Sequence, residues 1–367
     1  MSFRSLCAAM LLVVCSATLV AQGIPGTRAN AAGRRGWDAI RDGRNEDAAQ
    51  AFADALSLES RDPSLHLGAG LAAFLLGRTT DARAALQQAL TLAPNMTSAS
   101  LLLGDILYRG SELDEAIKVY EAAQTYAPSD PTLASRLGKL RREAALHRDF
   151  FESQGSHFTV LFEGPSDAAL AQRALDILEE VYYRVGTALY TFPEQPITVV
   201  LYTEQQFRDV TRSPQWAAAA YDVRIRVPMR GALERGDELQ RVLAHEFTHA
   251  LVQTIAPRGV PTWLNEGLAV MFEPSGREWS EATLMEAAGR FPLQRLSSGF
   301  SGLSDVQARV AYAQSADAVR RMFDQAGSAA IVALLQDIAR GRPLAEAFSE
   351  RMLVSYDQFA AANMGPN

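Results

Sequence analysis

Small and apolar residues in the first third of the chain recur at a fixed interval of 34 positions. Gly36, Gly70, Gly104 and Gly138 keep this spacing, as do Ala48, Ala82 and Ala116, then Phe52, Leu86 and Tyr120, then Ala55, Ala89 and Ala123. Within each period the apolar positions fall at helical spacing, and Pro94 and Pro128 close successive units. The pattern predicts a helix pair per unit: small residues let two helices approach, a large apolar residue fills the gap, and proline stops the second helix. The first unit departs from this, with Ser60 where a proline is expected and Pro63 three residues later.

This pattern resembles the tetratricopeptide repeat, with three units over 31–128 and a capping helix near 131–146. The resemblance implies an all-α solenoid over residues 22–149. Its concave surface is read as a docking groove for a peptide or a partner protein, with a stalk that only positions the rest of the chain as the alternative.

After residue 150 the interval of 34 disappears and strand-like runs alternate with helical ones. His157 to Phe162 and Pro196 to Tyr202 are apolar, β-rich runs, with a helix-spaced segment over 167–190 between them. Tyr221 to Val227 alternates Val223, Ile225 and Val227 against Asp222, Arg224 and Arg226, as a half-exposed strand does. From Glu238 onward nearly everything is helical. A small mixed sheet in front of a helical block is expected, and the whole chain reads as α+β.

The helix opened by Gly236 contains His245-Glu246-Phe247-Thr248-His249. Histidines four apart lie on one helix face one turn apart, so both imidazoles can reach one metal ion; Glu246 is displaced around the helix toward a water on that ion. A third ligand is needed for a catalytic zinc site. Glu266 offers it, 17 residues after His249, with room for a turn near Pro257-Arg258-Gly259 and a returning helix. His66, His147 and His157 have no such partner spacing and read as structural.

His-Glu-x-x-His followed by Trp263-Leu264-Asn265-Glu266-Gly267-Leu268-Ala269 resembles the gluzincin zinc metallopeptidases, and in particular peptidase MA-like domains, over most of residues 150–360, which implies such a domain over 150–367. The resemblance implies a thermolysin-like α+β domain, Zn2+ held by His245, His249 and Glu266, Glu246 as general base, and a polypeptide substrate. It also suggests a Tyr or His as oxyanion donor, best matched by Tyr312 in the segment Ala311 to Ser315; a tyrosine packed in a helix interface is the alternative. Thermolysin-like enzymes often place an acidic residue four positions after the glutamate ligand to orient a histidine. Val270 stands there, so His245 lacks an assigned partner. The strand Tyr221 to Val227 is read as the cleft edge, with Tyr221, Val223 and Ile225 as substrate-binding positions.

Composition narrows this further. The chain has 367 residues, 48% of them apolar and 21% charged, with net charge −7. That is ample for packed cores and argues against a nucleic-acid partner. Cys7 and Cys15, the two cysteines, both fall in the apolar run of residues 1–21, which has the layout of a signal peptide, with a retained membrane anchor as the alternative. Export to the periplasm or beyond is therefore expected. Removal of the segment leaves no thiol and no membrane span. The leading reading is an exported zinc metallopeptidase whose repeats recruit substrate or a partner. Two others stay open: a peptidase-like scaffold with little turnover that mediates protein contacts in the cell envelope, and a hydrolase of some non-peptide amide.

Overall fold

The computed structural model describes residues 28–203, 205–206, 220–221, 224–228, 236–300 and 302–364. The expected signal segment 1–21 lies outside them, as does Val223. The chain forms two compact units, one ending at Ala145 and the other starting at Leu146, against the sequence boundary at 149/150.

In the first unit, helices pair in sequence: α1 (Arg28–Arg41) with α2 (Asn45–Leu58), α3 (Pro63–Leu75) with α4 (Thr79–Leu92), and α5 (Thr97–Arg109) with α6 (Leu113–Tyr126). Helix α7 (Pro131–His147) comes next. The repeated glycines work by close approach. A Cβ placed on Gly36 would lie 2.8 Å from Phe52, one on Gly70 would lie 2.8 Å from Leu86, and one on Gly104 would lie 2.1 Å from Tyr120. Each of those large residues is fully buried or nearly so, worth on the order of 2 kcal/mol apiece. Tyr120 also donates from its hydroxyl to Asp105 at 2.7 Å, and Asp105 pairs with Arg136 of α7, so polar contacts as well as apolar ones join the last helix to the third pair.

The second unit is built on a five-stranded sheet of order β1-β2-β3-β5-β4. Its strands are β1 (Phe151–Gln154), β2 (Phe158–Phe162), β3 (Ile197–Tyr202), β4 (Ala220–Tyr221) and β5 (Ile225–Pro228). β2, β3 and β5 run parallel, while β1 and β4 are antiparallel edges. Helix α8 (Ala168–Ala188) connects β2 to β3 and packs on β1, β2 and α9 (Gly236–Ile255), which also contacts β4 and β5. The remaining helices are α10 (Thr262–Met271), α11 (Gly276–Glu286), α12 (Asp305–Ala339, broken at Gly327), α13 (Leu344–Met352) and α14 (Tyr356–Ala362). One apolar cluster runs from the sheet through α8, α9 and α10 to α14. On the sheet's other face Val200 and Tyr202 pack with Leu146 and Phe150, and His147 Nε2 lies 2.6 Å from the Tyr202 hydroxyl.

The expected half-exposed strand over Tyr221 to Val227 is corrected here. The chain reverses after Tyr221, so that Tyr221 pairs with Ile225 across a hairpin, and β5 becomes an interior strand covered on both faces. Ile225 is therefore a core residue with no exposed surface, and Arg224 and Arg226 are 3% and 1% exposed. β1, an exposed edge strand, escaped the sequence pattern because Phe151-Glu152-Ser153-Gln154 has neither alternation nor an apolar run.

Candidate metal centre

Three local features place the centre. The first is the single helix α9, which fixes His245 and His249 one turn apart on one face. The second is the turn from α9 to α10, where Gly259 takes φ +80°, a left-handed conformation that a Cβ disfavours. Pro261, extended at ψ 145°, then opens α10, and fully buried Trp263 packs beside Tyr356 and Phe359. The third is the approach of α10 to α12. A Cβ on Gly267 would lie 2.3 Å from the backbone oxygen of Ser315, so only glycine lets the residue next to Glu266 sit against α12. Tyr312, one turn before Ser315, is brought to the same place.

The geometry that results is tight. His245 Nε2 and His249 Nε2 are 3.1 Å apart, and they lie 3.5 Å and 3.4 Å from Glu266 Oε2. A tetrahedral ion with bonds of about 2.0–2.1 Å separates its ligand atoms by about 3.3 Å, so these three edges fit one zinc-sized ion. His245, His249 and Glu266 are also the group of His, Cys, Asp and Glu that could hold a metal among the described residues. Their side chains are 16%, 12% and 18% exposed.

The electrostatics favour positive charge at the centre. Glu246, Glu266 and Glu273 bring three carboxylates to two imidazoles in a buried site. Burial, the largest single influence on His245, disfavours its charged form, yet its hydrogen bonds to Glu266 and Glu273, with the nearby carboxylate charges, outweigh it and push the imidazole pKa up to about 10. His249 is likewise raised, burial being outweighed by the charge and hydrogen bond of Glu266. Glu266 is held well below the usual carboxylate range because the two histidines overcome its burial. Glu246 moves the other way: burial raises it, the two histidines oppose this, and the neighbouring carboxylates add to it. Its Oε2 is buried and has no hydrogen-bond partner among the described residues, as is also true of His249 Nδ1.

Tyr312 joins the cluster, its ring 6.5 Å from that of His245 and edge-on to Phe300 at 5.0 Å. The charge of Glu266 first, then burial, raises its phenol above the ordinary value, so it remains an O–H donor at neutral pH. Of the expected substrate positions, Tyr221 lies on edge strand β4, Ile225 is in the core, and Val223 is outside the described residues. One residue escaped the sequence reading. Glu273 Oε1 lies 2.6 Å from His245 Nδ1 and supplies the partner that Val270 cannot. It lies seven positions beyond Glu266, two helical turns on and just past the end of α10, one turn further than the position Val270 occupies.

Two family models match separate segments of the chain. The Peptidase MA superfamily model matches residues 182–357, and a tetratricopeptide-repeat model matches residues 34–97 and 76–131. No curated protein matches the chain. Among solved structures, the first TPR of Spaghetti (RPAP3) bound to an HSP90 peptide is 21% identical, with a TM-score of 0.31, and the match covers 32% of this chain and 96% of that one. The Arabidopsis OM64 TPR domain is 16% identical, with a TM-score of 0.30, and the match covers 31% and 95% respectively. The chain thus carries tetratricopeptide repeats followed by a Peptidase MA superfamily domain.

Proposed function

We propose that the second unit is a zinc-dependent metallopeptidase of gluzincin type, exported from the cytoplasm, with the repeats recruiting its polypeptide substrate or a partner protein. The observation that carries the reading is the ligand triangle of His245, His249 and Glu266 at zinc-sized spacing, with the buried carboxylate of Glu246 beside it and no partner for its Oε2 among the described residues. Zinc held there supplies polarisation of a peptide carbonyl and an acidified water.

The rest is done by the chain. Glu246 takes the proton from the attacking water and passes it to the leaving amine; its burial keeps its pKa raised, which suits a group that must both accept and return a proton. Tyr312 donates its O–H to the oxygen that becomes negative in the tetrahedral state. The edge strand β4, packed against α9, is where an extended peptide would add its backbone to the sheet, binding with little side-chain selection. Export rests on the character of residues 1–21, and recruitment on the repeats.

The test is zinc content together with cleavage of an unfolded protein, comparing wild type with Glu246→Gln. About one zinc per chain in both and a loss of at least 10²-fold in turnover in the variant is the expected result, as for removal of a general base. Equal cleavage in the two, or no zinc in either, would overturn the reading.

A further inference from the structure

The Tyr312 hydroxyl sits at the far end of a side chain whose backbone is fixed by α12 but whose first torsion is not. A helix leaves that torsion two wells, at about 180° and about −60°, which carry the hydroxyl to different places. Among the described residues no hydrogen bond holds the hydroxyl, so its place depends on what the ring packs against. The ring lies 6.5 Å from that of His245, and Phe300 stands edge-on to it, 5.0 Å away at an interplanar angle of 89°.

Phe300 is itself placed from both directions. It belongs to the connection between α11 and α12, which Gln314, two residues beyond Tyr312, pins back onto α12. The fully buried Gln314 amide accepts from Phe291 N at 2.8 Å and donates to Phe291 O at 2.6 Å, pairing both backbone groups as a neighbouring strand would. Leu293 and Leu296 are buried next, and the short 3-10 turn Arg295–Ser297 packs on α10, the helix that carries Glu266. Gly299 then takes φ +120° with open space around it, so glycine is needed there for conformation and not for room. Leu303 N donates to Phe300 O at 3.0 Å, and Ser304 and Gln307 form a capping box that opens α12. The Phe300 ring, half-buried against the core, is thus fixed relative to both the helix of Glu266 and the helix of Tyr312.

We propose that Phe300 is the positioning residue for Tyr312: its ring closes the second rotamer well and keeps the hydroxyl beside His245 and Glu266. An oxyanion donor acts only where the negative charge develops, so a ring that spends time in the other well lowers kcat by the fraction of molecules lost from the first. The proposal rests on the reading of Tyr312 as the oxyanion donor and deepens it.

The experiment is a double-mutant cycle on the zinc-loaded full chain, with steady-state cleavage of an unfolded protein as readout. Phe300→Leu removes the aromatic edge but keeps apolar bulk, Phe300→Tyr keeps the ring, and each is made with and without Tyr312→Phe. Phe300→Leu is expected to lower kcat about 2- to 12-fold, the worth of one aromatic pair, with zinc content and KM unchanged. Phe300→Tyr should restore kcat to within about twofold of wild type. In the Tyr312→Phe background, Phe300→Leu should cost nothing further in kcat, because no hydroxyl is left to misplace. A merely structural Phe300 lowers Tm in both backgrounds and gives no such coupling. A folded Phe300→Leu protein with wild-type kcat overturns the proposal, and so does an equal loss in the two backgrounds, because Phe300 then acts independently of the hydroxyl. Should Phe300→Leu not fold, the same cycle with Phe300→Met decides by the same two outcomes. Wild-type kcat in Tyr312→Phe alone removes the oxyanion reading and the proposal with it, a result distinct from additivity in the cycle.

Discussion

Tyr312 sits where a packing residue and an oxyanion donor look alike, and removal of one oxygen separates them. Its ring meets Phe300, which Tyr312→Phe preserves, while the hydroxyl beside Glu266 and Glu246 is lost. Zinc content and KM should stay close to wild type while kcat falls about 10²- to 10³-fold, the cost of removing one oxyanion donor. An unchanged kcat in steady-state peptide cleavage would leave the ring as packing alone. Legibility at this scale depends on distance along the chain. His245, Glu246 and His249 share one helix, so their spacing alone sets their geometry, and Glu266 is implied by a ligand count that two histidines leave incomplete. Glu273 reaches His245 from 28 positions away, through a turn whose shape depends on Gly276 against Val270 and Arg184 against Phe272. The spacing from Glu266 alone does not encode such a contact.

Elements bring their own constraint, because the centre depends on how closely α10 lies on α12. In an isolated helix Gly267→Ala would gain about 1 kcal/mol from helix propensity. Here the new methyl would lie 2.3 Å from the Ser315 carbonyl, and overpacking against backbone costs about 1–3 kcal/mol and must displace one helix. A lower Tm together with weaker zinc binding is expected, because Glu266 moves with the helix; a rise in both would show that the helices part without disturbing the ligand. The junction of α12 and α13 is held by charge. Asp337, 3% exposed, accepts from Arg351 at 2.8 Å and from Arg342 at 3.1 Å. The Arg351 hydrogen bond keeps its carboxyl below the usual range despite burial, with the charges of Arg351, Arg342 and Arg340 adding to this. The folded state thus binds the proton less readily than the unfolded chain, whose Asp titrates near about pH 3.9. The stabilisation is complete above that pH and is lost as pH falls through the folded value. Denaturant melts of wild type below about pH 4 should lose stability that Asp337→Asn never had, so the two curves converge in acid. The repeats were legible because one interval repeats three times. The β4 and β5 hairpin was not, since alternation reports which residues share a face and says nothing of a reversal between Tyr221 and Ile225. Nor does it distinguish arginines in solvent from Arg224 and Arg226, which are buried with partners.

Over the whole chain, the division at Ala145 and Leu146 separates two kinds of stability. The repeats bury their apolar residues against neighbouring helices, in clusters around Phe52 and around Leu86 and Tyr120, whereas the second unit folds about one large cluster that includes residues flanking His245, His249 and Glu266. No helix among the described residues is long and apolar enough to cross a membrane. A ligand that binds only the native second unit stabilises that unit alone, by about 2.7 kcal/mol at a free concentration 100-fold above its Kd. For a unit of this size, that corresponds to roughly 5–10 °C in Tm. Calorimetry of the whole chain should therefore resolve two transitions, of which zinc raises one and a chelator lowers it while the other stays still. The same scan on Glu273→Gln should show the zinc-dependent shift reduced, since losing a ligand's carboxylate partner costs about 10-fold or more in affinity, and about 10-fold at fixed zinc removes about 1.4 kcal/mol of that stabilisation. Two transitions moving together by equal amounts would mean that the units unfold as one body, and the metal centre would then be stabilising the repeats as well.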